Sequence, residues 1–158
     1  MTATKVHTLL DEHGVSYETH THTRAVSAQR LAAEEEVSGW HIAKPVMLAV
    51  GEGDQLVMAV IPGAANLDLG KASQVLGGNE VRLAREEEFV GRFPDCEAGA
   101  EPPFGSLYGI PVFLDEQLRA QERMICRDGS HTETITLSVA DFVRVVQPEI
   151  ADLSTGPA

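Results

Sequence analysis

The sequence predicts one compact domain of the mixed α+β class. Its 158 residues match the size of a single domain, and a hydrophobic content of 43% is enough for a buried core. The predicted strands group into hairpins and do not alternate strictly with helices, which favours α+β, or a mixed sheet, over a doubly wound fold. We expect residues 1–150 to form the domain and residues 151–158 to be a flexible C-terminal tail.

Apolar periodicity and turn residues predict the elements in order. A helix is expected over residues 6–13, with Gly14 as its stop, and a strand follows over residues 15–20. Ser27 can cap a second helix that ends before Gly39. Further strands are predicted at residues 40–50, 55–61, 81–83, 111–114, 123–126 and 131–137, and further helices at 67–76, 86–90 and from 139.

Composition restricts the class of function. No apolar run reaches the roughly 18 residues of a membrane helix, and residues 1–7 lack the apolar core of a signal peptide, so we expect a cytoplasmic protein. Cys96 and Cys126 form no C-x-x-C pair, which predicts free thiols and no thiol zinc site. A net charge of -12 argues against generic nucleic-acid binding but allows a local basic rim. The candidates for such a rim are Arg24, Arg30, Lys71 and Arg82.

One lysine interrupts an apolar strand pattern. Even-numbered positions of the strand predicted at residues 40–50 share a face, and all of them are apolar except Lys44. A lysine there is desolvated unless it is paired. One interpretation is an ammonium group that faces a pocket and holds a carbonyl oxygen or a phosphate. In the other, Pro45 breaks the alternation and Lys44 leans into solvent.

Two further stretches are candidates for a site. Residues 99–105 combine two prolines with two glycines, which predicts a rigid loop that exposes main-chain groups. The alternative is a plain connecting loop. Periodicity places His131 on the apolar face near the start of its strand, where a lone histidine is more often structural than catalytic.

A metal site is a minor alternative. His20 and His22 share a strand face, which is compatible with two metal ligands in a metal-dependent hydrolase. No third ligand is identifiable. His131-Thr132-Glu133 lacks the cysteine motif that accompanies H-x-E in zinc deaminases. Cys96 and His131 as a nucleophile pair have no local support in the sequence. We therefore expect no metal and no cofactor.

Four landmarks in order make the chain resemble the YbaK/prolyl-tRNA-editing (YbaK/EbsC) family, from about residue 6 to residue 146. No single motif is specific, and the resemblance rests on the occurrence of all four in family order with plausible spacing. They are His22 followed by Ser27 and Ala28; Lys44 followed by residues 59–63 and 67–69; Gly99 followed by Pro103, Phe104 and Gly105; and residues 112–116 followed by residues 129–131.

The resemblance implies a YbaK-like, barrel-like mixed sheet flanked by helices. The implied reaction is hydrolysis of the ester between a small mischarged amino acid and tRNA, by water or the neighbouring ribose hydroxyl. Lys44 is the implied catalytic residue, which holds the reacting end, while backbone groups around Gly99 and Pro103 fix the carbonyl and the amine. The implied substrate-binding residues are His22, Ser27, Gly99, Pro103, Phe104, Gly105 and His131.

The chain departs from the family pattern at a few positions. Pro45 stands where a polar or small residue is usual, Ser27 replaces a threonine, and Glu101 with Pro102 can alter which side chain the loop accepts. The expected partners are an aminoacyl-tRNA substrate and, as a candidate, an aminoacyl-tRNA synthetase, with no membrane. Pro45 and the acidic charge favour the alternative, a non-catalytic tRNA- or synthetase-binding module of the same fold.

Overall fold

The computed structural model describes residues 4–21, 32 and 38–157, and the account below concerns those residues. Short 3-10 helices span Gly39–His41, Val90–Arg92 and Gly105–Tyr108. The α-helices are α1 (Thr4–Glu12), α2 (Leu69–Val75), α3 (Glu86–Phe89), α4 (Glu116–Arg119) and α5 (Val139–Val146). The strands are β1 (Glu18–Thr21), β2 (Ala43–Val50), β3 (Gln55–Pro62), β4 (Ala65–Leu67), β5 (Val81–Leu83), β6 (Val112–Asp115), β7 (Arg123–Arg127), β8 (Glu133–Ser138), β9 (Glu149–Ala151) and β10 (Ser154–Pro157).

The described strands form three sheets. The largest has the order β5-β2-β3-β6-β9, with antiparallel pairs from β5 to β3 and parallel pairs from β3 to β9. A second sheet, β1-β8-β7, is antiparallel, and β10 pairs with β4. Helices flank mixed sheets in a single domain, which confirms the mixed α/β class.

The barrel-like closure implied by the resemblance is not found among these strands. One isolated parallel bridge, between Ile42 and Ile125, joins the large sheet to the second sheet. β5 occupies only the far end of the β2 edge that faces away from β3, where it pairs with Leu48, Ala49 and Val50. The bridge to β7 is formed by Ile42, just before β2 begins, and the sheet stays open.

The five-stranded sheet has a hydrophobic core on each face. Successive side chains of a strand point to opposite faces, so β2 contributes Ala43 and Met47 to the larger core and Leu48 to the smaller one. Helices α1 and α5 pack into the larger core, and α2 covers the smaller one through Ala72. Burial on both faces explains why β2 and β3 are apolar almost throughout.

Both predicted hairpins are confirmed. In the first, Met47 of β2 lies opposite Met58 of β3, and in the second, Cys126 of β7 lies opposite Ile135 of β8. The predicted cap of the last helix is also present, because the hydroxyl of Ser138 accepts a hydrogen bond from the Asp141 N–H at 3.0 Å. No helix in the described part of the chain is long and apolar enough to cross a membrane.

The C-terminal segment differs from the flexible tail that the sequence predicts from residue 151. Residues up to 157 form β9 and β10, which pair with β6 and β4. The cause is Asp115, whose fully buried carboxylate accepts hydrogen bonds from the Leu153 N–H at 2.8 Å and from the Ser154 hydroxyl at 2.7 Å. The folded unit therefore extends past residue 150.

Candidate functional site

Lys44 lies near the start of β2 and is half-buried. Its Nζ donates a hydrogen bond to the carbonyl oxygen of Ala65, on β4, at 2.9 Å. No carboxylate pairs with it among the described residues. Burial lowers the pKa of Lys44, as expected for a partly desolvated cation. An ammonium group has three N–H donors, so two remain for a ligand.

Pro45 is accommodated inside β2 without breaking the strand. The Gly63 N–H donates to the Ile42 carbonyl at 2.8 Å, so the even-numbered residues of β2 form the hydrogen-bonded pairs with β3. Pro45 lies opposite Val60 in the intervening, non-hydrogen-bonded pair. A proline lacks only an N–H that would point away from β3. The interpretation in which Pro45 breaks the alternation is therefore wrong.

The loop at residues 97–101 and the turn at residues 128–131 are held together by hydrogen bonds. The Glu97 N–H donates to the Gly129 carbonyl at 2.7 Å, and Glu97 Oε2 accepts from the His131 N–H at 2.8 Å. His131 Nε2 donates to the Ala98 carbonyl at 2.8 Å. We call these two segments the loop–turn unit. Its bonds fix the position of the His131 ring relative to the loop.

His131 is 1% exposed, just before β8. A carbonyl oxygen only accepts hydrogen bonds, so the bond to Ala98 requires the proton to be on Nε2. In the neutral ring, Nδ1 is then an acceptor, and it is buried without a hydrogen-bond partner in the described part of the chain. Leaving a buried acceptor unpaired costs about 1–3 kcal/mol, so this atom suits a ligand that brings an N–H or O–H donor.

Gly99 is exposed and lies next to the His131 ring. Its φ of +84° lies in the left-handed region, and a Cβ added there would be 3.4 Å from His131 Cε1. The Gly99 N–H donates to Glu101 Oε2 at 3.1 Å. This N–H is therefore already used, as are the carbonyl oxygens of Glu97 and Ala98, which accept hydrogen bonds from the Ala100 N–H and from His131 Nε2. Glu101 is only 7% exposed, and burial raises its pKa.

Asp128 supports the turn and escaped the sequence analysis. Its fully buried carboxylate accepts from the N–H and the hydroxyl of Ser130, both at 3.1 Å, and lies 3.3 Å from Nε2 of His7 on α1. The signal was present in the sequence, because Asp followed by Gly and Ser is typical of a side-chain-capped turn. Asp128 thus connects the turn that carries His131 to the first helix.

The other predicted site residues fall into two groups. Phe104 is fully buried in the larger core, where it packs edge-on against Phe142 with 5.3 Å between ring centroids. Gly105 is required by packing, because a Cβ there would lie 2.9 Å from the Ile110 carbonyl oxygen. Pro103 is buried beside them. His22 and Ser27 lie outside the described residues, and the ligand contacts of this whole group stay predictions.

Two of the candidate rim cations are engaged in ion pairs. Lys71 Nζ lies 3.0 Å from Asp152 Oδ1, and Arg82 binds Glu88 through both terminal nitrogens at 2.7 and 2.8 Å. Their charges are thus compensated locally. Arg24 and Arg30 lie outside the described residues.

Alternative chemistries receive little support from the described residues. Within these ranges, no three His, Cys, Asp or Glu side chains are grouped to hold a metal ion. His20 is exposed on β1, and His22 is not described. Burial raises the pKa of Cys96 to about 12, so this thiol is protonated near neutral pH and is a poor nucleophile.

Comparison with known proteins finds a matching family model and named relatives. Residues 22–145 match the family model of the aminoacyl-tRNA editing domain. The multifunctional Ser/Thr-tRNA deacylase ProXp-y of Escherichia coli O157:H7 is 27% identical over 150 residues, which cover 91% of this chain and 87% of that protein. A candidate Cys-tRNA(Pro)/Cys-tRNA(Cys) deacylase, EbsC of Enterococcus faecalis, is 24% identical over 151 residues, covering 93% and 90%.

A solved structure shares the fold. It is that of a candidate trans-editing enzyme for prolyl tRNA synthetase, which superposes with a TM-score of 0.81 at 24% identity and covers 98% of this chain and 97% of its own. At this level of identity the match concerns the architecture of the domain.

Proposed function

The chain belongs to the aminoacyl-tRNA editing domain family, and we propose that it is a free-standing hydrolase that removes a small mischarged amino acid from tRNA. The bond broken is the ester between the aminoacyl carbonyl carbon and a hydroxyl oxygen of the terminal ribose. The observation that carries the proposal is Lys44, a half-buried ammonium group with no carboxylate partner among the described residues.

Lys44 supplies positive charge where negative charge develops. When a nucleophile adds to the ester carbonyl, the carbonyl oxygen becomes an oxyanion, which fixed N–H donors stabilise. The bond to Ala65 orients the ammonium group and leaves two N–H donors for that oxygen. Partial burial strengthens the interaction, because the effective dielectric is lower than in bulk water.

The loop–turn unit is proposed to position the aminoacyl end. The exposed backbone at Gly99 and the unpaired Nδ1 of His131 offer acceptors to the amine or to a ribose hydroxyl. Aminoacyl esters are already labile, so orientation and charge stabilisation are sufficient and no strong side-chain base is required.

The substrate is proposed to be small. The names of two relatives refer to Ser-, Thr- and Cys-tRNA, which supports an amino acid of that size for this chain. An apolar pocket distinguishes side chains by only about 1–3 kcal/mol per methylene, so a synthetase needs a separate editing site for close analogues.

A synthetase is the proposed source of the substrate. The structural neighbour is named for prolyl tRNA synthetase, and we infer that this chain meets mischarged tRNA close to such an enzyme, in the cytoplasm. A non-catalytic binding module is the second candidate. It is favoured by the net charge of -12 and by the ion pairs that compensate Lys71 and Arg82, two of the four candidate rim cations.

A panel of mischarged tRNAs tests the proposal. Purified protein is incubated with tRNAs carrying alanine, serine, threonine or cysteine, and amino-acid release is followed with the Lys44→Met variant alongside. We expect wild type to release at least one of the four, and Lys44→Met to lose about 10²–10³-fold in kcat/KM. If folded wild-type protein releases none of them, the binding module replaces the hydrolase.

A further inference from the structure

We propose that the Glu101 carboxylate binds the α-ammonium group of the aminoacyl moiety, so that the site selects esters of amino acids over esters of uncharged acids. This inference rests on the proposed function and names the chemical group that the loop–turn unit recognises. It assigns the amine to a side chain, whereas the family resemblance assigns it to backbone groups.

The position of Glu101 is the first observation. It lies in the loop between Gly99 and Pro103 and is 7% exposed. Its Oε2 accepts the Gly99 N–H at 3.1 Å, so the carboxylate lies directly behind an exposed glycine. A Cβ on that glycine would touch the His131 ring at 3.4 Å. Carboxylate, glycine backbone and imidazole thus form one cluster.

The charge of Glu101 is the second observation. No Lys, Arg or His side chain of the described residues forms an ion pair with it, and its hydrogen bonds come from backbone N–H groups. Burial is the main cause that raises the pKa of Glu101, and the Glu86 carboxylate adds to the effect, while backbone N–H groups, and His131 when it is protonated, act in the opposite direction. A buried anion without a cationic partner is costly, and a ligand cation would offset that cost.

The unpaired acceptor of His131 is the third observation. In the neutral ring Nδ1 is a buried acceptor with no donor in the described part of the chain, and the ring adjoins Gly99 through Cε1 and Nε2, which a Cβ at Gly99 would meet at 3.4 and 3.6 Å. The cluster therefore contains two kinds of acceptor, the Glu101 carboxylate and the Nδ1 atom of neutral His131. A ligand with N–H donors could bind to such acceptors. A primary ammonium group carries three N–H donors and a positive charge, which matches this requirement better than a hydroxyl group does.

A purely structural role for Glu101 makes a different prediction. If the carboxylate only holds Gly99, glutamine can replace it, because an amide oxygen accepts the same N–H. Glu101→Gln keeps that bond and removes the charge, whereas Glu101→Ala removes both. If Glu101 recognises charge, Glu101→Gln loses the preference for charged ligands as fully as Glu101→Ala does. If Glu101 only supports the loop, Glu101→Gln keeps the binding properties of wild type.

The test uses non-hydrolysable ligands, so it does not depend on catalysis. The probes are 3′-alanylamino-3′-deoxyadenosine and its lactyl counterpart, which replaces the ammonium group with a hydroxyl of similar size. Dissociation constants are measured calorimetrically for wild type, Glu101→Gln and an exposed control, Glu52→Gln. Thermal unfolding verifies that each variant is folded.

We expect wild type and Glu52→Gln to bind the alanyl ligand about tenfold to a hundredfold more tightly than the lactyl ligand, as for one charge-assisted hydrogen bond. In Glu101→Gln the preference falls to within about twofold. Equal binding of both ligands by wild type, or a preference that survives in Glu101→Gln, overturns the inference. The wild-type comparison stands even if the variant does not fold.

Failure of the proposed function has a separate signature. A Glu101-dependent preference for the alanyl ligand, with no release from any mischarged tRNA, would defeat the hydrolase and support the inference. Release of an amino acid, with no preference for the alanyl ligand, would support the hydrolase and defeat the inference about Glu101.

Discussion

His131 Nε2 donates a hydrogen bond to the carbonyl oxygen of Ala98 at 2.8 Å, across 33 positions of sequence. This bond sets the tautomer of a buried histidine and leaves Nδ1 as an acceptor. It also joins the exposed loop to a turn that Asp128 and His7 connect to α1. The candidate site is therefore built on side-chain contacts between segments far apart in the chain.

Replacement of His131 is expected to impair both stability and activity. His131→Ala removes the bond to Ala98 and leaves that carbonyl without its partner, which costs about 1–3 kcal/mol of unfolding free energy. We expect kcat/KM for amino-acid release to fall by about tenfold to a hundredfold as the loop loses its position. Urea unfolding and deacylation kinetics measure the two effects. The control is His13→Ala on the surface of the domain, and wild-type kinetics in His131→Ala would contradict the assigned role.

Gly105 is expected to tolerate no larger side chain. A Cβ there would lie 2.9 Å from the Ile110 carbonyl oxygen and 3.0 Å from Val112 Cγ2. Gly105→Ala should therefore lower the unfolding free energy by about 1–3 kcal/mol through overpacking. Gly91→Ala is the matched control, because nothing lies within 4 Å of its Cβ position. Equal denaturation midpoints for the two variants would contradict this packing.

The C-terminal strands are expected to be part of the folded unit. Ending the chain at residue 150 removes Leu153 and Ser154 and leaves the buried Asp115 carboxylate without their two hydrogen bonds. We expect a loss of about 2–5 kcal/mol, as for other buried charges that lose their partners. Urea unfolding of the shortened chain measures it, with Thr155→Ala as a surface control. An unchanged midpoint would restore the prediction of a flexible tail.

Activity is expected to fall at alkaline pH because Lys44 must be charged. Burial lowers the pKa of Lys44, so the ammonium form is lost as the pH rises through a value below that of a free lysine. Rates corrected for spontaneous ester hydrolysis should therefore decline on the alkaline side. Lys44→Arg keeps its charge to higher pH and should move this decline upward, even if its maximal rate is lower. An identical pH profile in the two proteins would exclude Lys44 as the titrating group.

Most of the strands, and the place of Lys44 on an apolar strand face, were predictable from the sequence because they depend on local pattern. Alternation placed Lys44 on an apolar face, and the structure shows it half-buried there. Periodicity likewise indicated that His131 faces the interior, where it is 1% exposed. The hairpins followed from turn residues flanked by β-forming segments.

Features that depend on contacts between distant segments were not predictable in this way. β4, β9 and β10 are three or four residues long and gain their strand character from partners elsewhere in the chain, so no periodicity marks them. In the sequence Asp128 is only a turn residue and Asp115 only part of a family landmark, yet each carboxylate is fully buried and contacts a distant segment, His7 for Asp128 and Ser154 for Asp115. Phe104 and Gly105 carried a family motif, but the structure also assigns them to the core.

Single-turnover hydrolysis tests the central claim, that the Lys44 ammonium group stabilises the reacting ester, most directly. With enzyme in excess over a mischarged tRNA, the rate of amino-acid release is measured for wild type, Lys44→Met and the exposed-lysine control Lys5→Met. The account predicts a rate lower by about 10²–10³-fold in Lys44→Met only, with tRNA binding unchanged. Equal rates in wild type and Lys44→Met, both folded, would contradict it.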